Sequence, residues 1–308
     1  MEIQFAGRSH GAWSITPALK TKGLHFEFAL LSDPGEQAMP DPYASIAQAD
    51  KTMQERLADV LELRAADPQQ RATLDAYLSE LRLPSAAIAL DVGCGTGAVS
   101  RILAELPGIR EVVGIDPSPV FVEKARELGK ALSQLSFQTA DARALPFPDA
   151  SFDLVVFHTT LCHVPDPEQA LREAYRVLRA GGWLAVFDGD YMTTTVATDP
   201  FDPLQRAVDA MVANFVQNPW LTRRLGKSLR SIGFTVTSVR SHGYTQTTEP
   251  QYMLTIVDRG ADVLAGAGNV GVEQAAALKN EARRRARAGE FFGHISFVSL
   301  IARRPGSC

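Results

Sequence analysis

Cysteine is scarce. Cys94, Cys162 and Cys308 are the three in 308 residues. They show neither paired spacing nor clustering with other ligand types, so neither a disulfide framework nor a metal site is predicted. Such usage suits a reducing cytoplasm. An excess of basic residues is also lacking: 31 Lys and Arg stand against 35 Asp and Glu, a formal charge of -4. Without a broad basic face there is little of the phosphate neutralisation that dominates nucleic-acid affinity, so no nucleic-acid partner is expected. Long apolar runs are missing as well. The most apolar early stretch, Leu24 to Leu31, is short and broken by Glu27, which predicts neither a signal peptide nor a membrane span. With 45% hydrophobic and 21% charged residues, the chain reads as one sizeable α/β domain with insertions. A homodimer is left open.

What the chain does have is an apolar run that stops abruptly at glycines, Ala89-Leu90-Asp91-Val92-Gly93-Cys94-Gly95-Thr96-Gly97. Ile88 to Val92 is too short and too uniformly apolar for a surface strand, and suits one buried on both faces of a parallel sheet. The glycines free the backbone there and let a ligand approach the main chain at the start of a helix from Ala98 to Leu106. Gly93-x-Gly95-x-x-Ala98 also satisfies the dinucleotide fingerprint. A second buried strand ends at Asp116, where a carboxylate can accept ribose hydroxyls under either reading. A third strand, 135–139, leads into Asp141-Ala142. Leu145-Pro146-Phe147-Pro148-Asp149 then precedes a fourth strand ending near Phe157.

These blocks, in this order, resemble the class I S-adenosylmethionine-dependent methyltransferases, in the broad group similar to the ubiquinone/menaquinone-biosynthesis and "type 11" small-molecule enzymes. The resemblance rests on 90–97, 112–119, 141–142, 145–156 and 173–188, and covers roughly residues 45 to 190. It implies a Rossmann-like, doubly wound α/β sheet of seven strands, mostly parallel with an antiparallel C-terminal edge strand, under a helical cap. It implies S-adenosylmethionine as cofactor. Asp91 with Gly93, Cys94, Gly95 and Gly97 would hold the methionine portion, Asp116 and Pro117 the ribose, and Asp141 and Ala142 the adenine edge, with Phe157 and His158 closing the site. The implied activity is methyl transfer to a small, largely apolar acceptor, quinone-like, aromatic or a natural product. An NAD(P)-dependent oxidoreductase and a non-catalytic module that binds a nucleoside cofactor stay open as alternatives.

Along the chain, residues 1–42 read as an irregular arm with a short strand near 25–30. Lid helices are expected over 43–83 with a break at Asp67-Pro68, and the cofactor-binding core over 84–190. A helical cap over 191–233 is interrupted at Asn218-Pro219. Strands at 235–242 and 295–302, around a helix near 275–288, complete the sheet within 234–308. Asp166-Pro167 opens the helix before the fifth strand, with Gln169 expected to close a capping box. Trp183 to Asp188 is the expected fifth strand. Arg283, Arg284, Arg285 and Arg287 read as a solvated helix face.

Displacement at a sulfonium methyl expels a neutral leaving group, so positioning can carry much of the rate. A base is needed only where the acceptor must lose a proton. His158 and His163, either side of Thr159 to Cys162, are the candidates, because imidazole titrates near neutrality. Tyr43, Asp188, Asp190, Tyr191, Phe215 and Trp220 are candidates for acceptor contact.

Overall fold

The fold is that of a computed structural model, which describes residues 41–306. The arm expected over 1–42 lies outside the described residues except for Asp41 and Pro42, as do the strand expected near 25–30 and Cys308.

Two helices precede the sheet, α1 (Lys51–Ala65) and α2 (Pro68–Leu78). Asp50 caps the first by accepting the Met53 N–H, and Asp67 caps the second by accepting those of Gln69 and Gln70. Pro68 sits in the first turn, where a missing N–H costs nothing. There follow β1 (Ala87–Val92), α3 (Ala98–Glu105), β2 (Ile109–Asp116), α4 (Pro119–Gly129), β3 (Leu135–Thr139), β4 (Phe152–His158), α5 (Pro167–Val177) and β5 (Leu178–Thr195). The last part comprises α6 (Leu204–Phe215), α7 (Leu221–Ile232), β6 (Thr235–Gln246), α8 (Gln251–Gly266), α9 (Val272–Ala288) and β7 (Gly293–Arg303).

The seven strands lie in the order β3-β2-β1-β4-β5-β7-β6. Strands β1 to β5 are parallel, and the order reverses between β1 and β4, where open α/β sheets place their ligands. Leu90, Val92, Leu154, Val156, Leu184 and Val186 are fully buried. Helices on both faces of the sheet account for the uniformly apolar strands.

The antiparallel C-terminal edge is present as expected, β7 running antiparallel to both β5 and the outermost strand β6. Two expectations need correction. The fifth strand runs on to Thr195, well past Asp188, because β7 lies antiparallel beside it and pairs Asp190 with Ser296 and Thr195 with His294. Asp166 does cap α5 by accepting the Gln169 N–H, but the Gln169 amide donates to the Arg143 carbonyl, so the box is not closed.

The cap holds a helix the sequence reading did not single out. α8 crosses α6 so closely that a Cβ on Gly260 would stand 1.6 Å from the Ala207 carbonyl oxygen. Three of the four arginines of α9 are partnered: Arg284 with Glu281 and Glu290 on the solvated face, Arg283 with Asp258 on α8, and Arg285 with buried Asp202 at the start of α6.

Candidate active site

A cavity of about 320 Å3 opens above the carboxyl ends of β1, β2 and β4. Its floor is the turn after β1. Gly93, Gly95 and Gly97 have φ of 71°, 53° and 79°, in the left-handed region that favours glycine. The Gly93 and Cys94 N–H groups both donate to the Ile115 carbonyl, at 2.8 and 2.9 Å, and fold the turn back over the end of β2. A Cβ on Gly93 would stand 2.2 Å from Cγ2 of Thr160, so the turn is pressed against the segment that follows β4.

Asp116 is buried at the end of β2 and accepts the N–H groups of Gly95 at 3.0 Å and Ser118 at 2.9 Å. Burial raises its carboxyl to about 6. Asp91 accepts the Ser100 hydroxyl at 2.6 Å, which ties β1 to α3; burial, with the nearby Asp116 charge adding to it, raises this carboxyl to about 7. A cradle without Cβ atoms beside a buried acceptor carboxyl fits the donor that the resemblance implies, since its ribose hydroxyls can donate to such a group. Asp141 is half-exposed and held by Arg143 at 2.7 Å. Hydrogen bonding to that guanidinium keeps its carboxyl below the usual range.

Beyond β4 the chain turns on Thr159, whose φ of 53° is uncommon for a β-branched residue. The two histidines part company here. His158 reaches the cavity wall, but its Nδ1 lies 2.9 Å from the Tyr77 hydroxyl and its ring stacks on Phe187 at 4.6 Å. Burial, with the Arg64 charge adding to it, pushes its imidazole down to about 3. A group that stays neutral so far down the pH scale is poorly matched to a base near neutrality.

His163 sits in the short 3-10 turn Leu161–His163 and lines the cavity. Its Nδ1 is 2.8 Å from Oδ2 of Asp41, and the Tyr43 ring lies 4.7 Å away. Asp41 is nearly fully buried and also accepts the N–H groups of Tyr43 and Gln217, each at 2.9 Å. The Asp41 carboxyl is the acceptor for both N–H groups, and a ring proton at Nδ1 of His163 completes the set. Gln217 reaches Asp41 because the cap breaks at Asn218-Pro219. There the Asn218 N–H donates to the Cys162 carbonyl at 2.8 Å and its amide to the Val164 carbonyl at 2.9 Å. Asp188 accepts the Cys162 N–H at 3.0 Å and so holds the same turn from below. Burial pushes the Cys162 thiol well up, which disqualifies it as a nucleophile.

The far wall comes from α1, α2, α6 and α8. Arg64 donates to Oγ1 of Thr159 at 2.6 Å, and its Cζ lies 5.9 Å from the rings of Tyr252 and Phe297. Among the described residues no carboxylate lies within 4.0 Å of it. Gln70 also lines the cavity, buried, with neither amide atom hydrogen-bonded. An unsatisfied amide costs about 1–3 kcal/mol. Met211, Phe215, Val216 and Ile256 make the rest of this wall apolar.

Among the sequence-predicted residues, Asp91, Gly93, Cys94, Gly95, Asp116, Pro117, Asp141 and Ala142 line one half of the cavity, and Tyr43, His163, Tyr191 and Phe215 the other. Five stand away from it, among them Asp188, fully buried beneath the Leu161–His163 turn. Gly97 caps α3 against Phe137, and Phe157 is fully buried in the core. Asp190 pairs with Arg223 at 2.9 Å, and half-exposed Trp220 lies under the same guanidinium. Asp41, Arg64, Gln70, Tyr252, Ile256 and Arg259 were missed. The signal for α8 was present: Met253, Ile256, Val257 and Gly260 recur at helical spacing. Nothing local marks Asp41 or Arg64.

Residues 90–186 match a family described as a methyltransferase domain. The chain is 36% identical over 155 residues to 27-O-demethylrifamycin SV methyltransferase of Amycolatopsis mediterranei (strain S699), covering 49% of this chain and 48% of that protein. It is 44% identical over 106 residues to 2-methyl-6-phytyl-1,4-hydroquinone methyltransferase of Synechocystis sp. (strain ATCC 27184 / PCC 6803 / Kazusa), covering 34% and 33% respectively. The chain spans about half the length, or less, of the curated relatives it matches. The same fold occurs in a solved structure of a putative methyltransferase from Bacillus halodurans C-125, with a TM-score of 0.55, 23% identity, and 76% and 99% of the two chains covered. Over residues 90–186 the match bears out the resemblance to the class I S-adenosylmethionine-dependent methyltransferases, and S-adenosylmethionine is the cofactor that resemblance implies. The oxidoreductase alternative is not favoured.

Proposed function

From a chain whose residues 90–186 match a methyltransferase domain, we propose transfer of a methyl group to a small, largely apolar acceptor, at an atom that gives up a proton as it is methylated. The observation that carries this reading is the Asp41–His163 pair at the cavity wall. The names of the rifamycin and hydroquinone methyltransferases support an acceptor of quinone-like or natural-product type.

Bound S-adenosylmethionine would supply an electrophilic methyl group on a neutral leaving group. The chain's own residues divide the remaining work. Asp116 accepts ribose hydroxyls, and Asp141 with Ala142 faces the adenine edge. The apolar wall of Met211, Phe215, Val216 and Ile256 excludes water and seats the acceptor. Nε2 of His163 takes the acceptor's proton while the Nδ1–H remains on Asp41, whose carboxylate steadies the imidazolium that forms.

A binding titration and a rate measurement test the reading. The wild type should bind S-adenosylmethionine and S-adenosylhomocysteine but not NADH or NADPH; the reverse result would sink it. In single turnovers with a panel of phenols and hydroquinones, His163→Ala should lower the rate by about 100-fold or more. Asp41→Asn should lower it by about tenfold or more, with donor affinity kept in both variants. A rate unchanged in both would remove the base from the mechanism.

A further inference from the structure

The arginines that line the cavity fall into two kinds. Arg71 is paired with Asp75, and Arg143 with Asp141. Arg64 and Arg259 have no carboxylate within 4.0 Å among the described residues. Among the described residues the Arg64 guanidinium has one hydrogen-bond partner, Oγ1 of Thr159, and Arg259 lies over the Phe215 ring with its Cζ 5.7 Å from the centroid. Both approach one side chain. Tyr252 and Arg259 are seven residues apart on α8 and share its cavity face with Ile256, while the Arg64 guanidinium stands over the Tyr252 ring. Both arginine charges act on the Tyr252 phenol, opposing the burial that raises it. Gln70 adds a buried amide with two unmet hydrogen-bonding atoms in the same lining.

A half-buried guanidinium that lines a cavity and lacks a carboxylate can take up an anion, and its planar fork matches a carboxylate best. We propose that the acceptor carries a carboxylate on an otherwise apolar body, and that this group docks against Arg64 and Arg259 beside Tyr252. This rests on the methyl-transfer reading and narrows its substrate class. The donor's own carboxylate is the competing occupant. The neighbours of Arg64 favour the acceptor: Tyr43, Tyr191, Tyr252 and Phe297 lie about it, an aromatic surrounding that suits an apolar acceptor body.

The experiment is calorimetric titration of the protein loaded with S-adenosylhomocysteine, using 4-hydroxybenzoate, 4-hydroxyphenylacetate and 3-(4-hydroxyphenyl)propionate, each against its methyl ester. In the wild type at least one acid should bind about tenfold tighter than its ester. Arg64→Gln and Arg259→Gln should each bring acid and ester to within about threefold, whereas Arg64→Lys, which keeps the charge, should retain part of the preference. Affinity for S-adenosylhomocysteine should stay within about threefold of wild type throughout. Esters that bind as tightly as acids, or the absence of binding by both series, overturn the proposal. So does a loss of S-adenosylhomocysteine affinity in Arg64→Gln, which would assign the guanidinium to the donor. Failure of the wild type to bind S-adenosylhomocysteine would instead bring down the methyl-transfer reading itself.

Discussion

On the side of the glycine turn, the cavity wall comes from one stretch of chain between Asp91 and Ala142, and much of its shape is main chain: a turn of left-handed glycines, two N–H groups on the Ile115 carbonyl, and a buried carboxyl that completes the turn. On the opposite side the wall is assembled from side chains as far apart as Tyr43 and Arg259, each held by a neighbour from another element. The first half is rigid because backbone geometry leaves it no alternative. The second is specific because the topology brings unlike residues together. A fold that keeps the first and varies the second can hold one cofactor and serve many acceptors.

The largest effect that would break this comparison is expected at Gly93. Ala at this position must take a left-handed φ and set its Cβ into Thr160. Affinity for S-adenosylhomocysteine should fall by about 100-fold or more, whereas Ile256→Ala on the opposite wall should leave it within about threefold. Equal losses in a calorimetric titration would mean that the two halves are not separable. A smaller effect should appear in stability. The fold raises the Asp116 carboxyl from its ordinary value to about 6, so the charged form is the one the fold disfavours. The contribution of this group is thus fully present below its ordinary value and is lost as pH rises through about 6. Without donor, Asp116→Asn should therefore be more stable than wild type at pH 8, by about 1–2 kcal/mol, with the gap closing toward pH 4. Thermal melts across that range would show it, and a constant gap would remove the titration from the account. The smallest effect belongs to Trp220, which stands outside the cavity: Trp220→Ala should change stability by less than about 1 kcal/mol and leave turnover unaltered.

How far each half could be read from the sequence follows the same division. The glycine turn, the acids at 116 and 141, and the order of the strands are carried by residues close together in the chain, where period and punctuation suffice. His163 was legible as a candidate, but its advantage over His158 was not. It depends on Asp41, Tyr77 and Phe187, which reach the two rings from distant parts of the chain. Trp220 and Asp190 looked like acceptor contacts because aromatic and acidic residues near the cap suit that role. Arg223 engages both of them away from the cavity. Asp41 lay in a proline-broken segment without periodicity, and Arg64 on the last turn of an ordinary helix. Only tertiary placement distinguishes either one.

The place of β7 in the sheet orders events in time. β6 is made first, yet its partner in the sheet is β7, which stands between it and β5. While the chain is being synthesised, β1 to β5 can therefore assemble as the glycine turn and Asp116 emerge. β6 must wait until residues 293–303 have been added. For that interval the flank of β5 is an open edge on which a chaperone, or a second nascent chain, can pair.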